Sequence, residues 1–259
     1  MNLDLRVSSI ERQQEIYLLI EENKRISIPA ICEAFSISEA TARRDLETLE
    51  IEGKIRRVRG GAIILAQAPP ELPILERENE QSGFKERIGR LTADLIKPGE
   101  TIFLGSGTTV LAVARHLYNC KELTVLTNSL PIINLLIGCN GINLVVIGGI
   151  LRDSELSFIG HITENALQEV RADKVIMSTR AINLEQGVTN DYMEETQTDR
   201  AILRIGKQVI LTVDSCKFGS VSTAFLAPLE DIDIIVTNCE IEDDYVEAME
   251  AKGIKVLLA

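Results

Sequence analysis

The chain has 259 residues, of which 45% are hydrophobic and 25% charged, a composition typical of a soluble globular protein with one large domain or two average ones. The net charge of −12 argues weakly against a polyanionic partner, although an average can hide a basic patch, and the aromatic content of 4% leaves the cores to aliphatic side chains. No apolar run reaches 18 residues and the first residues lack the apolar core of a signal peptide, which disfavours a membrane-spanning helix and predicts a cytoplasmic protein.

The first 65 residues predict a winged helix-turn-helix domain. After a first helix, Ser27 caps a short helix, IPAICEAF, and Ser38 caps a third, EATARRDLETLEIE, which Gly53 ends. The residues that follow, KIRRVRGGAIIL, read as two strands around a Gly60-Gly61 turn. Three helices followed by a hairpin are the elements of a winged helix-turn-helix, and we expect this domain to span residues 1–65.

The third helix and the wing carry the candidate DNA-binding residues. If Ala42, Leu46 and Leu49 form the buried face, Ala40 and Arg44 point away from the core. Small, hydroxyl-bearing and basic residues then lie where a recognition helix meets base edges and where a wing meets the phosphate backbone. Alternatively, the two arginines pair with acidic neighbours on a solvated helix surface. The predicted DNA-binding set is Ser38, Ala40, Thr41, Arg43, Arg44, Lys54, Arg56, Arg57 and Arg59.

Residues 66–83, AQAPPELPILERENEQSG, differ in composition from the segments on either side. The stretch contains three prolines and shows no sustained periodicity. Proline fixes φ and removes a hydrogen-bond donor, so we interpret this segment as a linker.

From residue 84 to residue 259, apolar runs alternate with helix-length segments. Most of the runs are continuous, as is typical of strands covered on both faces, so we predict a mostly parallel α/β domain that also forms the oligomer contacts. The predicted strands are 101–104, 123–128, 142–149, 174–179, 207–214, 232–238 and 254–259.

The stretch SEATARRDLETLEIEGKIRRVRGGA closely resembles the helix-turn-helix signature of DeoR-type bacterial transcriptional regulators. That signature commonly reads S-x-x-T-[IV]-R-R-D-L-x-x-L-x-x-x-G and is followed by a basic R-x-x-GG wing. Ala42 stands here where Ile or Val is usual. The resemblance continues over nearly the whole chain in GTT, TNSL, GGIL, ADKVIMS and DSCKFG, which begin at residues 107, 127, 148, 172 and 214. It implies a repressor, usually of sugar or polyol uptake and catabolism. The C-terminal domain would bind a phosphorylated sugar and be similar in fold to ribose-5-phosphate isomerase and coenzyme A transferases.

The stretch LGSGTTV, residues 104–110, is a candidate phosphate site between a strand and a helix. The first turn of a helix has free N–H groups and a favourable dipole, and Gly105 and Gly107 let the backbone approach a ligand closely. The alternative is a tight connection with nothing bound. A nucleotide P-loop would need a Lys after this loop, and a dinucleotide fingerprint would need a small residue where Val110 stands, so no nucleotide cofactor is predicted.

Polar residues at other strand ends complete the predicted effector site, because ligands in open α/β sheets bind beyond the carboxyl ends of the strands. Asn128 could read sugar hydroxyls and Lys217 could neutralise a phosphate, whereas Asp191 and Glu195 are candidate hydroxyl acceptors; each is individually compatible with a structural role. The predicted effector-binding set is Ser106, Gly107, Thr108, Thr109, Thr127, Asn128, Ser129, Gly149, Asp191, Glu195 and Lys217.

Two positions depart from the pattern of the DeoR-type regulators. Gly105 stands where these proteins often have Asp, and Asp199 stands where they have a Lys four residues after the Glu. Sugar contacts implied for those two positions therefore do not carry over to this chain.

Catalytic, metal and redox sites are not predicted. The five scattered cysteines form no CxxC pair and are expected to be reduced, mostly buried thiols, and His116 and His161 have no nearby motif. The fold analogy leaves open a sugar-phosphate isomerase with an accessory DNA-binding module, which would need a base near the phosphate. Since helix-turn-helix proteins usually read two half-sites, we expect a homodimer or homotetramer that binds double-stranded operator DNA and a phosphorylated sugar or polyol.

Overall fold

The computed structural model of the protein divides into two compact units, residues 1–66 and 67–259. The backbone alone is described for Arg56, Ile64, Ala66 and Gln67. The structure describes residues 9–23, 25–51, 54–58, 60–64, 66–68, 71–78, 80–118 and 120–259.

The first unit is the predicted winged helix-turn-helix. Its strands form a three-stranded antiparallel sheet in which β3 lies between β1 and β2, and β1 was not predicted. Ser27 and Ser38 act as the predicted caps, because their Oγ atoms accept hydrogen bonds from Ala30 N (3.3 Å) and Thr41 N (3.2 Å). The predicted helix end at Gly53 lies outside the described residues. The elements are α1 Ser9–Asn23, β1 Arg25–Ser27, α2 Ile28–Phe35, α3 Glu39–Ile51, β2 Ile55–Val58 and β3 Gly61–Ile64.

The core of the first unit includes one charged side chain. Ala42, Leu46 and Leu49 form the predicted buried face of α3. Asp45 is buried on the same helix, where its carboxylate accepts hydrogen bonds from Arg12 Nε at 2.7 Å and Gln13 Nε2 at 3.0 Å. These bonds join α3 to α1, and a buried charge that is paired and hydrogen-bonded in this way is tolerated in a core.

The segment predicted as a linker is mostly part of the second unit. A two-residue strand, β4 (Ala66–Gln67), is followed by a short helix, α4 (Ile74–Arg77), and α5 already begins at Ser82. Ile74 and Arg77 are buried, and Arg77 pairs with the Glu155 carboxylate. Pro73 does not mark a free connection here, since it directly precedes α4 with φ −52°. Pro69 and Pro70 lie outside the described residues.

All seven predicted strands of the second unit form one parallel sheet, with β10 next to β5. Smaller antiparallel pieces lie beside it. The sheet strands, in spatial order, are β17 Lys255–Leu258, β16 Ile234–Thr237, β13 Gly206–Thr212, β10 Ala172–Met177, β5 Thr101–Leu104, β6 Leu123–Thr127 and β7 Ile142–Val146. The others are β8 Ile150–Arg152, β9 Ser157–Ile159, β11 Ala181–Asn183, β12 Gly187–Asn190, β14 Ser220–Val221 and β15 Ala224–Ala227. The helices are α5 Ser82–Ala93, α6 Thr108–Arg115, α7 Leu130–Leu136, α8 His161–Gln168, α9 Met193–Ile205 and α10 Asp243–Ala251.

Side chains on both faces of this sheet are buried, which explains the continuous apolar runs. Phe103 and Val175 belong to one core cluster, and their neighbours along the chain, Leu104 and Ile176, belong to another. None of the described helices is long and apolar enough to cross a membrane.

The strand order creates a switch point between β5 and β10. The chain runs from β5 outward to β6 and β7, then returns to the other side of β5 with β10, β13, β16 and β17. The connections that leave β5 and β10 therefore diverge, and a crevice opens beyond their carboxyl ends, where open α/β sheets bind ligands.

The five cysteines are all free, but the prediction that most are buried is wrong. Cys32, Cys120 and Cys139 are half-buried, and Cys216 and Cys239 are exposed. The exposed pair follows the ends of β13 and β16, where the chain leaves the sheet.

Candidate functional site

The first turns of α3 present a polar surface. Ser38, Ala40, Arg43 and Arg44 are exposed and Thr41 is half-buried, with Ser38 Oγ and Thr41 Oγ1 2.9 Å apart. This arrangement leaves the side chains of the helix start accessible on the side opposite the core.

The two arginines of α3 differ in their surroundings. Arg43 pairs with Glu39 at 3.3 Å, and both side chains are about 60% exposed. Such an exposed ion pair contributes little to stability, so Arg43 can readily exchange Glu39 for another partner. Within the described part of the chain no acidic side chain pairs with Arg44. The solvated ion-pair alternative therefore describes Arg43 and not Arg44.

On the wing, Arg57 is held by α3. Its backbone N–H and its Nε bind the two carboxylate oxygens of Glu50 at 2.8 and 2.5 Å, and its side chain stays partly exposed. Lys54 is exposed. Arg56 lies on β2, and Arg59 lies outside the described residues.

In the second unit, the loop after β5 enters α6 at the switch point. Gly107 has φ 110°, a conformation that favours glycine, and an added Cβ would lie 3.4 Å from the Ser178 side chain. Thr108 and Thr109 are buried in the first turn of α6. The loop thus brings free helical N–H groups to the crevice between β5 and β10.

Two adjoining cavities occupy this crevice and share Glu71, Arg77, Ser178 and Arg180. The larger cavity, about 460 Å³, also reaches Thr108 and Thr109. The smaller cavity, about 40 Å³, lies on the side of Ser106 and Gly107.

Cations slightly outnumber carboxylates around the larger cavity. Arg77, Lys85, Arg180 and Lys217 line it together with Glu71, Glu80 and Asp214. Burial lowers the pKa of Lys85, whose Nζ donates to the carbonyl of Arg77 at 2.7 Å. Fixed positive groups beside a helix start favour an anion.

One carboxylate, that of Glu71, contacts three of these cations. Its Oε1 lies 2.7 Å from Arg77 Nη1, 3.4 Å from Lys217 Nζ and 3.7 Å from Arg180 Nη1. We call Arg77, Arg180 and Lys217 the cation cluster. In this structure the Glu71 carboxylate is an anion at the centre of that cluster.

The smaller cavity is rich in carboxylates. Glu195 accepts a hydrogen bond from Ser157 Oγ at 2.8 Å and pairs with Arg152, and Ser106 Oγ lies 3.4 Å from Glu195 Oε1. Asp191 accepts the backbone N–H of Glu71 at 3.1 Å. This side of the crevice therefore offers acceptors suited to hydroxyl groups.

Asp199 also lines the smaller cavity. Its Oδ2 accepts a hydrogen bond from Asn190 Nδ2 at 2.9 Å. Burial, opposed by the positive charge of Arg152, raises the pKa of Asp199 to about 7. The position that departs from the DeoR-type pattern therefore holds a buried carboxyl group.

Four predicted effector residues are not among the described residues that line these cavities. Thr127, Asn128 and Ser129 are buried at the end of β6, on the opposite side of β5 from β10, and make local hydrogen bonds, although Asn128 Oδ1 has no partner among the described residues. Thr127 Oγ1 donates to Leu104 O at 2.7 Å and accepts the N–H of Ser129 at 3.1 Å, and Asn128 Nδ2 donates to Phe158 O at 2.9 Å.

Gly149, the fourth of these residues, is needed for packing. A Cβ added there would overlap Thr163 Oγ1 and lie 2.9 Å from the Ile159 carbonyl oxygen. The close approach of α8 explains a glycine at this position without any ligand.

Several residues of the crevice were missed from the sequence. Arg77 lies in the segment predicted as a linker and Lys85 lies just after it, so neither was predicted as a site residue. Ser178, Thr179 and Arg180 directly follow β10, and the strand-end rule would have found them if β10 had been known to lie beside β5.

Comparison with known proteins covers both units. A family model described as the DeoR-like helix-turn-helix domain matches residues 12–68, and one described as the DeoR C terminal sensor domain matches residues 80–239. The HTH-type transcriptional repressor GlcR of Bacillus subtilis is 32% identical over 96% of this chain and 95% of its own length. A putative aga operon transcriptional repressor of Escherichia coli O157:H7 is 28% identical over 96% and 93%, and the regulator GolR of Listeria innocua is 29% identical over 96% and 98%.

Among solved structures, ribose 5-phosphate isomerase from Plasmodium falciparum aligns with 54% of this chain and 54% of its own, at 16% identity and a TM-score of 0.41. The corresponding isomerase from Methanocaldococcus jannaschii gives 16% identity and a TM-score of 0.40 over 54% and 55%.

Proposed function

Because the chain belongs to the DeoR family of DNA-binding transcriptional regulators, we propose that it represses an operon for carbohydrate or polyol uptake or catabolism and that a phosphorylated sugar controls it. Family membership confirms the predicted resemblance and the prediction of a regulator in place of an enzyme. Two of the relatives are named as repressors, which supports repression as the direction of control.

The observation that carries the proposal is the larger cavity beside the start of α6, where cations outnumber carboxylates, in a chain whose first unit is a winged helix-turn-helix. A phosphate group is a doubly charged oxyanion with several acceptor oxygens. We assign it to the N–H groups and hydroxyls of the loop together with Lys217. The proposed phosphate-binding residues are Ser106, Gly107, Thr108, Thr109 and Lys217.

We assign the sugar hydroxyls to the acidic side of the crevice. Asp191 and Glu195 present carboxylate oxygens there, and ionised carboxylates act only as acceptors, which suits hydroxyl donors. Thr127, Asn128, Ser129 and Gly149 also have local structural roles, and their part in effector binding stays a prediction from the sequence.

For DNA, we propose that the exposed first turns of α3 read base edges and that the wing contacts the phosphate backbone. A single unit of modest charge would bind weakly, so we propose a homodimer or homotetramer that reads two half-sites, roughly 34 Å apart or a multiple of that distance. We also propose that the protein acts in the cytoplasm, where a bacterial regulator meets chromosomal DNA.

Specific DNA binding is tested by fluorescence anisotropy with the full chain and its own upstream region, at several salt concentrations. Arg44→Ala should weaken specific binding by roughly 1–3 kcal/mol if Arg44 reads a base. Arg25→Ala is the matched control, because Arg25 is an exposed arginine of the same unit outside the proposed contact set. Equal losses for the two variants would assign the effect to charge alone.

Effector control is tested by adding phosphorylated sugars and their unphosphorylated forms to the DNA complex. We expect at least one phosphorylated sugar to change the DNA affinity and its unphosphorylated form to have no effect. If the chain binds DNA specifically but no phosphorylated sugar changes that binding, the proposed control is refuted.

A further inference from the structure

The carboxylate at the centre of the cation cluster belongs to the protein itself. All three of its cation contacts go to one oxygen, Glu71 Oε1, and only the Arg77 distance, 2.7 Å, is that of a close pair. The other two cations lie 3.4 and 3.7 Å away. A single carboxylate oxygen therefore partly neutralises the positive charge of three side chains, with a short hydrogen bond to Arg77 and a longer one to Lys217.

We propose that Glu71 is an internal anion that competes with the anionic group of the effector for the cation cluster, so that the effector binds by displacing it. The inference rests on the proposed function insofar as it takes the effector to carry a phosphate. A phosphate carries about −1.5 to −2 charge and three acceptor oxygens, compared with one charge and two oxygens for a carboxylate. It therefore offers the three cations more negative charge and more acceptor oxygens than the Glu71 carboxylate does.

Arg77 does not depend on Glu71 for its burial. It also pairs with Glu155, which is buried, and its Nε donates to Leu72 O at 2.6 Å. Displacement of Glu71 would therefore leave Arg77 paired and in place. The ion pair of Glu71 can be exchanged for another anion without leaving a buried charge unpaired, which is the costly outcome for buried ion pairs.

A second contact links Glu71 to the proposed effector site. The Glu71 backbone N–H donates to Asp191, a proposed sugar-hydroxyl acceptor, at 3.1 Å. An effector that engages Lys217 with its phosphate and Asp191 with a hydroxyl would take both partners of Glu71 at once. Along the chain, Glu71 comes shortly after residue 66, where the DNA-binding unit ends. The segment released by the effector would thus be the one that continues directly from that unit.

The test uses the full chain with inorganic phosphate as the probe, titrated by isothermal calorimetry. Glu71→Gln removes the competing charge but keeps the side-chain shape and the backbone N–H, and should lower the Kd for phosphate about tenfold or more. The matched control is Glu80→Gln, which removes the same charge from the lining of the same cavity without removing an ion pair with the cation cluster. It should change the Kd less than about threefold, as expected for a more distant, screened charge. Equal gains in the two variants, or no phosphate binding in either, would overturn the inference.

Hydrogen exchange of the unmodified chain gives a second readout that does not depend on how any variant folds. Phosphate should accelerate exchange of the Glu71 amide, because displacement of the side chain loosens its hydrogen bond to Asp191, while it protects the start of α6. Slower exchange of the Glu71 amide, or no change there while α6 is protected, would overturn the inference.

The two proposals can fail separately. If phosphorylated sugars control DNA binding but Glu71→Gln binds phosphate no better, the internal competition is refuted and the proposed function stands. If Glu71→Gln binds phosphate more tightly but no phosphorylated sugar alters DNA binding, the competition stands and the proposed function is refuted.

Discussion

Asp199 allows the electrostatics of the crevice to be tested through stability. The side chain is buried on α9, and burial raises its pKa from 3.8 to about 7. Asp199→Asn replaces it with a neutral side chain of nearly the same shape whose oxygen can still accept the hydrogen bond from Asn190 Nδ2. The substitution therefore removes the titration and keeps the packing.

The sign of the expected effect follows from the two pKa values. Below about pH 4 the carboxyl is protonated in both the folded and the unfolded chain, and the wild type and the variant should be about equally stable. As the pH rises from about 4 to 7, the unfolded chain loses this proton more readily than the folded one, so the wild type loses stability. One pKa unit corresponds to about 1.4 kcal/mol, so the full difference amounts to about 4 kcal/mol above pH 7. We expect the Asn variant to be more stable by up to that amount at pH 8.

The measurement is urea unfolding, followed by circular dichroism, of the wild type and the variant at pH values from 4.5 to 8 on matched buffers. The free-energy difference between them should grow with pH and level off above about pH 7. Asp153→Asn is the control, because it removes an exposed carboxylate in the same unit. It shows how much of the free-energy difference comes from the loss of one negative charge alone. A difference between the Asp199 variant and the wild type that does not change with pH would refute the burial argument.

Three further predictions concern packing and reactivity. Asp45→Ala should destabilise the first unit by about 3 kcal/mol in urea unfolding, because it leaves a partly buried guanidinium unpaired; an effect below about 1 kcal/mol would contradict this. Gly149→Ala should lower the melting temperature more than Gly105→Ala. The new methyl group at residue 149 would lie 2.9 Å from a backbone carbonyl oxygen, whereas at residue 105 it would lie 3.2 Å from a flexible methionine side chain. The reverse order of melting temperatures would contradict this. Cys216 and Cys239 are both exposed, but partial burial of the Cys216 thiol and its hydrogen bond to the Asp214 carboxylate raise the pKa of Cys216 to about 11. At pH 8 iodoacetamide should therefore modify Cys216 more slowly than Cys239, as read by peptide mass spectrometry, and equal rates would contradict this.

The pattern of apolar residues was enough to predict the main sheet of the second unit and the buried face of α3. The seven continuous runs of the second unit became its seven parallel strands, and the 42, 46, 49 spacing gave the buried face of α3. Several predicted ends ran too far, as for 142–149, where β7 ends at Val146, because apolar residues continue past the last ladder bond. Which strand lies beside which could not be predicted, because an apolar run carries no information about its neighbour.

The site was predicted less completely for two physical reasons. The strand-end rule applies at the switch point, and without the strand order it selected residues after β6, such as Asn128, but not those after β10, such as Arg180, which line the crevice. Buried charges were missed because their partners are far away in the chain: Asp45 bonds Arg12, 33 residues earlier, and Arg77 bonds Glu155, 78 residues later. Asp45 did have one local signal, since it follows Ala42 by three residues and so lies on the same helical face.

Internal competition by Glu71 also accounts for how a ligand could exert control. A ligand that binds two arrangements of a protein equally shifts neither, so the effector must prefer the arrangement in which Glu71 is displaced. If the Glu71 ion pairs hold the cation cluster nine-tenths of the time, the apparent Kd for the effector rises about tenfold. That factor corresponds to about 1.4 kcal/mol, which is the free energy that effector binding must supply to displace Glu71. Couplings of about 1–3 kcal/mol are typical of allosteric proteins, so an exchangeable ion pair is of sufficient strength. The gain in phosphate affinity of Glu71→Gln therefore measures the free energy that the effector must supply to displace Glu71.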